Sequence, residues 1–307
     1  MSEATRILPF SDEAIEEAAR LISEGYPVAI ATETVYGLAA DATNPEAVAR
    51  IYEAKGRPSF NPLIVHVPDL ATAERIGEFS DEARALARRC WPGPLTLVAP
   101  LRNDACIPSL ITAGLSTIAL RVPAHPAVQA LLRRTGRPLA APSANASGRI
   151  SPTKAEHVLQ SLDGRIPLIV DAGPTERGLE STIVGVTDGR VRLLRRGPIE
   201  IEGAVREESA EIEAPGQLAS HYAPAKPLRL NASEAADNEF MIGFGTIGGN
   251  VNLSPTADLV ETASRLFDLL HVADASSMPK IAIAPIPDEG LGAAINDRLR
   301  RAAAPRG

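Results

Sequence analysis

The chain has 307 residues, of which 45% are hydrophobic and 22% charged; that is enough apolar material for a sizeable core, and the length favours two domains. Thirty-one basic against 38 acidic residues give a formal net charge of −7, the wrong sign for a protein whose main role is to coat nucleic acid. Two cysteines, Cys90 and Cys106, exclude a disulfide scaffold, no apolar run approaches the roughly 18 residues of a membrane span, and the N-terminus has no basic segment leading into an apolar stretch. A cytoplasmic enzyme or binding protein is the expectation.

Asp12 to Glu24 puts Ala14, Ile15, Ala18, Ala19 and Ile22 on one helical stripe,. Pro27 to Ala31 reads as a short buried strand. Asn44-Pro45-Glu46 is a helix start, with a capping side chain, proline in the first turn and an acid near the positive end of the dipole; that helix runs to Lys55 and stops at Gly56. Leu63 to Val67 is a strand, Glu82 to Cys90 a helix, Leu95 to Leu101 and Thr117 to Val122 strands, and Pro126 opens a helix to Arg134. Pro138 to Pro142 is a strand feeding a polar loop, Ser143 to Ser151. A helix over 154–162, a strand over 168–170, and two strands over 181–186 and 190–195 flanking the hairpin signal Asp188-Gly189 come next,. Helices mixed with hairpins predict a mixed sheet.

Residues 206–226 break the pattern with four glutamates, Pro215-Gly216 and His221-Tyr222-Ala223-Pro224. A connection that long is a tether or a functional lid. Beyond it, strands at 228–230, 240–243 and 281–284 and helices over 258–271 and 293–303 predict a small α/β domain. The expected organisation is therefore 1–205, a linker at 206–226, and 227–307.

Several signals are negative. Gly243-Phe244-Gly245-Thr246-Ile247-Gly248 is a literal GxGxxG, but the residues after it look like a strand rather than the helix a dinucleotide site needs, so a plain turn is expected. There is no phosphate-loop sequence and no Gly-x-Ser-x-Gly elbow, and the histidines and cysteines lack metal-ligand spacing.

The chemistry lies in short clusters. Thr32 to Leu38 sits where a buried strand ends, the usual position of a ligand crevice, and reads equally as a tight turn closed by Gly37. Lys55 is explained either by the helix dipole or by an anion. Arg57, between Gly56 and Pro58, is held in a constrained loop that suits donors aimed at phosphate. In Thr117-Ile118-Ala119-Leu120-Arg121, period two puts Thr117, Ala119 and Arg121 on one face; an arginine there needs an anion, either a structural carboxylate or a ligand. Ser143 to Ser147, Glu180-Ser181-Thr182 and Arg195-Arg196-Gly197 add hydroxyls, amides and cations at strand ends.

In register, Thr34-Val35-Tyr36-Gly37-Leu38, Lys55-Gly56-Arg57-Pro58, Asn61-Pro62-Leu63, Trp91-Pro92-Gly93-Pro94-Leu95-Thr96, Arg121-Val122-Pro123, Pro142-Ser143-Ala144-Asn145, Glu180-Ser181-Thr182 and Arg195-Arg196-Gly197 resemble the YrdC-like threonylcarbamoyl-adenylate synthases. His221-Tyr222-Ala223-Pro224 is similar to their long form, which carries a C-terminal domain. The resemblance implies a twisted mixed α/β fold with an open concave site and a small Rossmann-like C-terminal domain. It implies condensation of L-threonine, bicarbonate or CO2, and ATP with Mg2+ to threonylcarbamoyl-AMP and pyrophosphate. The product would feed a separate tRNA-threonylcarbamoyl transferase machinery that makes t6A at position 37, with room for tRNA or double-stranded RNA contact and no membrane. The implied catalytic residues are Lys55, Arg57 and Arg121. The implied threonine site is Thr34, His66, Arg121, Ala141 and Ser181. The implied ATP site is Lys55, Arg57, Asn61, Thr117, Ser143, Asn145, Ser151, Arg195 and Tyr222, with His221 beside it and no protein-held metal. The absence of a triad or activated cysteine suits this reaction, in which the work is positioning and charge stabilisation. The competing reading is a non-catalytic RNA-binding module using Lys55, Arg57, Arg195 and Arg196 on the same surface. A carbamoyl transferase using carbamoyl phosphate is a third, since a related domain occurs in hydrogenase maturation.

Overall fold

The computed structural model describes residues 4–187, 190–205, 213–216 and 220–305. Its elements begin with β1 (Arg6–Pro9), α1 (Asp12–Ser23), β2 (Val28–Ala31), β3 (Tyr36–Asp41), α2 (Pro45–Lys55), β4 (Ile64–His66), α3 (Leu70–Glu74) and α4 (Asp81–Cys90). They continue with β5 (Leu95–Pro100), α5 (Ser109–Thr112), β6 (Thr117–Arg121), α6 (Pro126–Thr135), β7 (Leu139–Ala140), α7 (Ala155–Leu162), β8 (Leu168–Asp171), β9 (Thr182–Thr187) and β10 (Arg190–Arg195). Last come β11 (Leu228–Arg229), β12 (Glu239–Gly243), β13 (Val251–Asn252), α8 (Leu259–Ala275), β14 (Lys280–Ile283) and α9 (Leu291–Ala303).

Local sequence explains the boundaries. The Asn44 side chain accepts the amides of Glu46 and Ala47, satisfying two orphan donors of α2, and Gly56 ends that helix at φ +58°, where a side chain would be strained,. Ser11 caps α1 in the same way through the Ala14 amide,.

Ten strands form one mixed sheet, ordered β1-β8-β2-β3-β7-β4-β6-β5-β9-β10. Alternation along each strand sorts side chains onto two faces. One face, with Ala29, Val65, Leu97, Leu120 and Val184, packs on α2, α4 and α7 through Ile51, Leu86 and Val158. The other face is divided. Around β2 and β8, Val28, Ile30, Leu168 and Val170 pack on α1 and α6 through Ile15 and Leu131. Around β4, β5, β6 and β9, Ile64, Val98, Ala119 and Ile183 cluster instead with Ala214, from the segment after β10. Period two puts His66, Thr96 and Arg121 on this same stretch of sheet. A polar surface is thus left where a helix would otherwise lie.

The C-terminal part is a parallel sheet, β11-β14-β12-β13, packed with α8 and α9. Its core residues Ile242, Phe267, Ile281 and Ile295 run on into Val35, Ile150, Leu179 and Tyr222, so the two sheets share one apolar seam. The approach is close at Gly178 (φ +68°), where a Cβ would lie 2.3 Å from the Ala263 carbonyl oxygen on α8. No helix among the described residues is long and apolar enough to cross a membrane.

Several expectations need correction. Gly37 does not close a turn: it lies inside β3, opposite Ile30 of β2. The strand β1 and the short helices α3 and α5 are absent from the sequence-based expectation, because four or five residues carry too little periodicity; β1 exists through its parallel pairing with β8,. Helix α8 extends past His271 to Ala275. The Asp188-Gly189 turn lies outside the described residues, although β9 and β10 pair antiparallel on either side of it. Residues 206–212 and 217–219 of the expected linker are also outside them. The GxGxxG run is a tight turn, with Phe244 and Ile247 exchanging backbone hydrogen bonds of 3.1 Å before β13.

Candidate functional site

On the uncovered half-face, a pocket of about 550 Å³, counting its mouth, is bounded by both the sheet and the segment after β10. It is not an open concavity: Pro215, Gly216, His221 and Tyr222 form one wall, and Tyr222 is fully buried. Gly216 (φ +87°) fits where a Cβ would be 2.8 Å from the Tyr222 hydroxyl and 2.9 Å from Arg195 Cδ.

The floor is built from strand ends. Arg121, the last residue of β6, is buried and donates from Nη2 to Glu33 Oε1 (2.6 Å), from Nη1 to Thr34 Oγ1 (3.0 Å) and from Nε to the Gly93 carbonyl (3.2 Å). The structural carboxylate is therefore present, and Arg121 still faces the pocket. Burial works to raise the Glu33 carboxyl, but the Arg121 charge and its hydrogen bonds hold it below the usual carboxylate range,. His66 ends β4 beside Arg121. Burial, reinforced by the Arg121 charge, holds its imidazole well below the ordinary histidine range, hence neutral, and its Nδ1 has no partner among the described residues.

At the opposite side, Arg195 is buried and donates to the Ser181 carbonyl from Nε (3.0 Å), to Ser181 Oγ from Nη2 (3.0 Å) and to the Pro215 carbonyl from Nη1 (3.3 Å). Ser181 Oγ also meets Thr96 Oγ1 at 2.7 Å. Arg57 is half-buried in the loop after α2, where its Nε and Nη2 donate to the carbonyls of Asn61 (3.1 Å) and Pro62 (2.8 Å). Among the described residues neither arginine has a carboxylate partner. Surrounding protein pushes the Arg57 guanidinium down to about 10, and burial lowers Arg195 as well,.

Thr34, Ala141 and Ser143 complete the lining that the sequence singled out. Other expected residues lie behind it. The buried Lys55 ammonium donates to the carbonyls of Ser143 and Asn145, so it braces the polar loop rather than lining the pocket; burial, and then Arg57, hold it well below the usual lysine range. Asn145 donates to the Ala146 and Arg149 carbonyls. Ser151 donates to Glu180 Oε1. The buried Asn61 amide has neither side-chain atom partnered among the described residues. Thr117 starts the strand that Arg121 ends, about 13 Å away at ~3.3 Å per residue, and does not line the pocket,. With Lys55 and Arg195 buried, the four-residue cation cluster is not an exposed basic patch for a polymer backbone.

Sequence reasoning missed Glu33, Gly216 and the buried Arg298 of α9, which pairs with Glu180 across the seam. Glu33 lay within the Thr32–Leu38 cluster, Gly216 within Pro215-Gly216 and Glu180 within Glu180-Ser181-Thr182, but without an assigned role; Arg298 carried no signal. Burial holds the His221 imidazole, like that of His66, well below its range, with Arg57 and Lys55 adding to the effect, and leaves its Nδ1 and the Tyr222 hydroxyl without partners among the described residues. No cluster of three or more potential metal-ligating side chains occurs among the described residues.

Known proteins share both halves of this chain. The family model Sua5–YciO–YrdC, described as telomere recombination, matches residues 20–197. A second, described as the threonylcarbamoyl-AMP synthase C-terminal domain, matches 190–304. The threonylcarbamoyl-AMP synthase of Bacillus subtilis is 41% identical over 99% of this chain and 97% of its own; that of Pyrococcus abyssi is 38% identical over 94% and 95%. The crystal structure of P. abyssi Sua5 complexed with L-threonine superposes with a TM-score of 0.89, at 36% identity, over 97% of this chain and 98% of the other.

Proposed function

The chain belongs to the Sua5–YciO–YrdC family, and from that premise we propose that it is an L-threonylcarbamoyladenylate synthase, joining L-threonine, bicarbonate or CO2, and ATP. The observation that carries this reading is the pair of cations, Arg57 and Arg195, that face one pocket with Arg121 and have no carboxylate partner among the described residues. A guanidinium packed among carbonyls alone is costly, and an incoming polyanion offsets that cost. A triphosphate supplies the charge; the smaller carboxylate of an amino acid suits Arg121, whose own charge Glu33 partly balances.

The chain's residues then act by positioning. Arg121, Thr34 and Ser181 hold the threonine carboxylate and hydroxyl, and neutral His66 offers its free ring nitrogen as a hydrogen-bond partner without adding charge. The threonine amine adds to CO2, losing a proton, to give a carbamate. A carbamate oxygen attacks the α-phosphorus, and the bond to the β-phosphate oxygen breaks to release pyrophosphate. Arg57 and Arg195 face the charge that gathers on the leaving phosphates. Lys55 fixes the loop of Ser143 and Asn145, of which Ser143 faces the nucleotide; Tyr222 lines the same side, and Asn61 and Ser151 support it from behind. Glu180, the carboxylate that lines the pocket among the described residues, and Glu33, which lies behind Arg121, are already ion-paired. Mg2+ therefore arrives bound to the nucleotide phosphates, and no protein ligand is assigned to it. The wall of Pro215, Gly216, His221 and Tyr222 excludes water from a carbamate that hydrolyses readily.

The product is an activated acyl donor for the tRNA t6A37 machinery in the cytoplasm. The test is pyrophosphate release from ATP. Release that requires both L-threonine and bicarbonate is expected, and release indifferent to threonine would refute the assignment.

A further inference from the structure

Helix α9 belongs to the C-terminal domain, yet its Arg298 is buried against the pocket wall. Its Nε donates to Glu180 Oε2 at 2.9 Å, Nη2 to the Arg196 carbonyl at 2.8 Å, and Nη1 to Asp297 Oδ2 at 3.0 Å. Its guanidinium carbon lies 5.2 Å from the centre of the Tyr222 ring. One turn on, the Arg301 carbonyl accepts the His221 amide at 3.2 Å. The other oxygen of Glu180 accepts the Ser151 hydroxyl. A single helix therefore touches three parts of the wall: the carboxylate that holds Ser151, the carbonyl next to Arg195, and the segment 221–222.

Domain docking alone does not call for this arrangement. Around Tyr222 the seam is apolar, with Val35, Ile150, Leu179 and Phe267, and a leucine in place of Arg298 would bury area without the desolvation cost of a charge,. What the arginine supplies is a counter-charge. Glu180 lines the pocket that is to receive a polyanion. Unpaired, its carboxylate would repel the nucleotide phosphates and, in turning, carry Ser151 with it; paired, it is neutralised and held in one orientation.

We propose that Arg298 of the C-terminal domain is a positioning residue for the nucleotide half of the pocket, acting through Glu180 on Ser151 and through its ring contact on Tyr222. This deepens the synthase reading and rests on it. The second domain thereby completes the ATP site of the first.

The test uses the full-length chain and four variants, Arg298→Met, Arg298→Lys, Glu180→Gln and the double Arg298→Met/Glu180→Gln, assayed by pyrophosphate release against ATP and L-threonine separately. Arg298→Met should raise the KM for ATP about tenfold or more while that for threonine stays within about twofold. Arg298→Lys, which keeps the charge, should recover part of the loss. In the Glu180→Gln background the same Arg298→Met change should matter about twofold or less, because the carboxylate to be neutralised is gone. The double variant removes both members of the ion pair and leaves Asp297 with Arg301, so it remains informative should Arg298→Met fail to fold; should both fail, Arg298→Lys decides by its ATP-to-threonine KM ratio. An equal rise in both KM values, an unchanged KM for ATP, or the same factor in both backgrounds would overturn the proposal. Loss of threonine dependence in the unaltered chain would instead overturn the synthase reading, and this proposal with it.

Discussion

Arg121 and Glu33 form a buried ion pair, Nη2 to Oε1 at 2.6 Å, at the floor of the pocket. Each is the reason the other is tolerated there, and the pair separates two roles that a single substitution would confuse. Arg121→Ala leaves Glu33 buried without its cation and should cost ~3–5 kcal/mol of stability. Arg121→Ala/Glu33→Gln should regain most of that in urea denaturation, yet remain without threonine-dependent turnover. Normal kinetics in the double variant would remove Arg121 from the threonine site.

Arg57 has no carboxylate partner among the described residues, so its loss should leave the fold nearly untouched. Arg57→Ala is expected to keep stability within about 1 kcal/mol while weakening ATP binding by about 2 kcal/mol or more, roughly thirtyfold. Calorimetry with ATP checks the second part, and unchanged affinity would count against a phosphate role.

Cutting the chain after Val205 removes Pro215, Gly216, His221 and Tyr222 from the pocket, takes Ala214 off Ile64, Val98, Ala119 and Ile183, and strips the cover from Val35, Ile150 and Leu179. The shortened protein should lose pyrophosphate release and bind a hydrophobic dye. Full activity would reduce residues 213–222 to a tether.

Gly178→Ala tests how closely the domains must dock. A Cβ 2.3 Å from the Ala263 carbonyl oxygen requires α8 to move, and φ +68° adds strain,. A destabilisation of about 1–3 kcal/mol is expected, with a raised KM for ATP, since α8 and α9 pack in one core and a displaced α8 would shift Arg298,. A variant as stable as the parent would show that the seam yields without cost.

The seam also makes stability depend on pH. His271 of α8 stacks on His157 of α7, with ring centres 3.8 Å apart, and its Nε2 lies 3.2 Å from the Ser151 carbonyl. Burial, and then His157, hold His271 at about 3, despite Asp268 nearby. Lys154 and His157 both contact Asp268, whose carboxyl sits at about 2, chiefly through its hydrogen bond to His157. In the unfolded chain histidine titrates near 6.5, so between about pH 6.5 and 3 the unfolded state binds the proton and the native state does not. Acidification therefore destabilises, by at most about 1.4 kcal/mol per pH unit for this residue before solvent screening. His66 and His221 add to the same window; Asp268 matters only below about pH 4. His271→Asn should flatten the fall in Tm between pH 7 and 5, and an unaltered slope would show that His271 is solvated.

The sequence alone determined what depends on neighbours a few residues apart. Asn44, Pro45 and Gly56 specify α2 because cap, first turn and stop are local, and the alternation in Thr117 to Arg121 sets which side chains share a face. It also gathered Thr34, Arg57, His66, Arg121, Ser143, Ser181 and Arg195 as candidates, and the fold brings all of these to one pocket. Only the tertiary structure decided how they are used. Arg121 meets Glu33 across 88 residues and Arg298 meets Glu180 across 118, and no periodic pattern reaches that far. Lys55 turned inward because the carbonyls of Ser143 and Asn145 became its nearest acceptors once α2 had packed. The expected open concavity became a walled pocket for the same reason: half a sheet face without a helix must be covered by something, and burial of its apolar rows drew Ala214 and Tyr222 over it,.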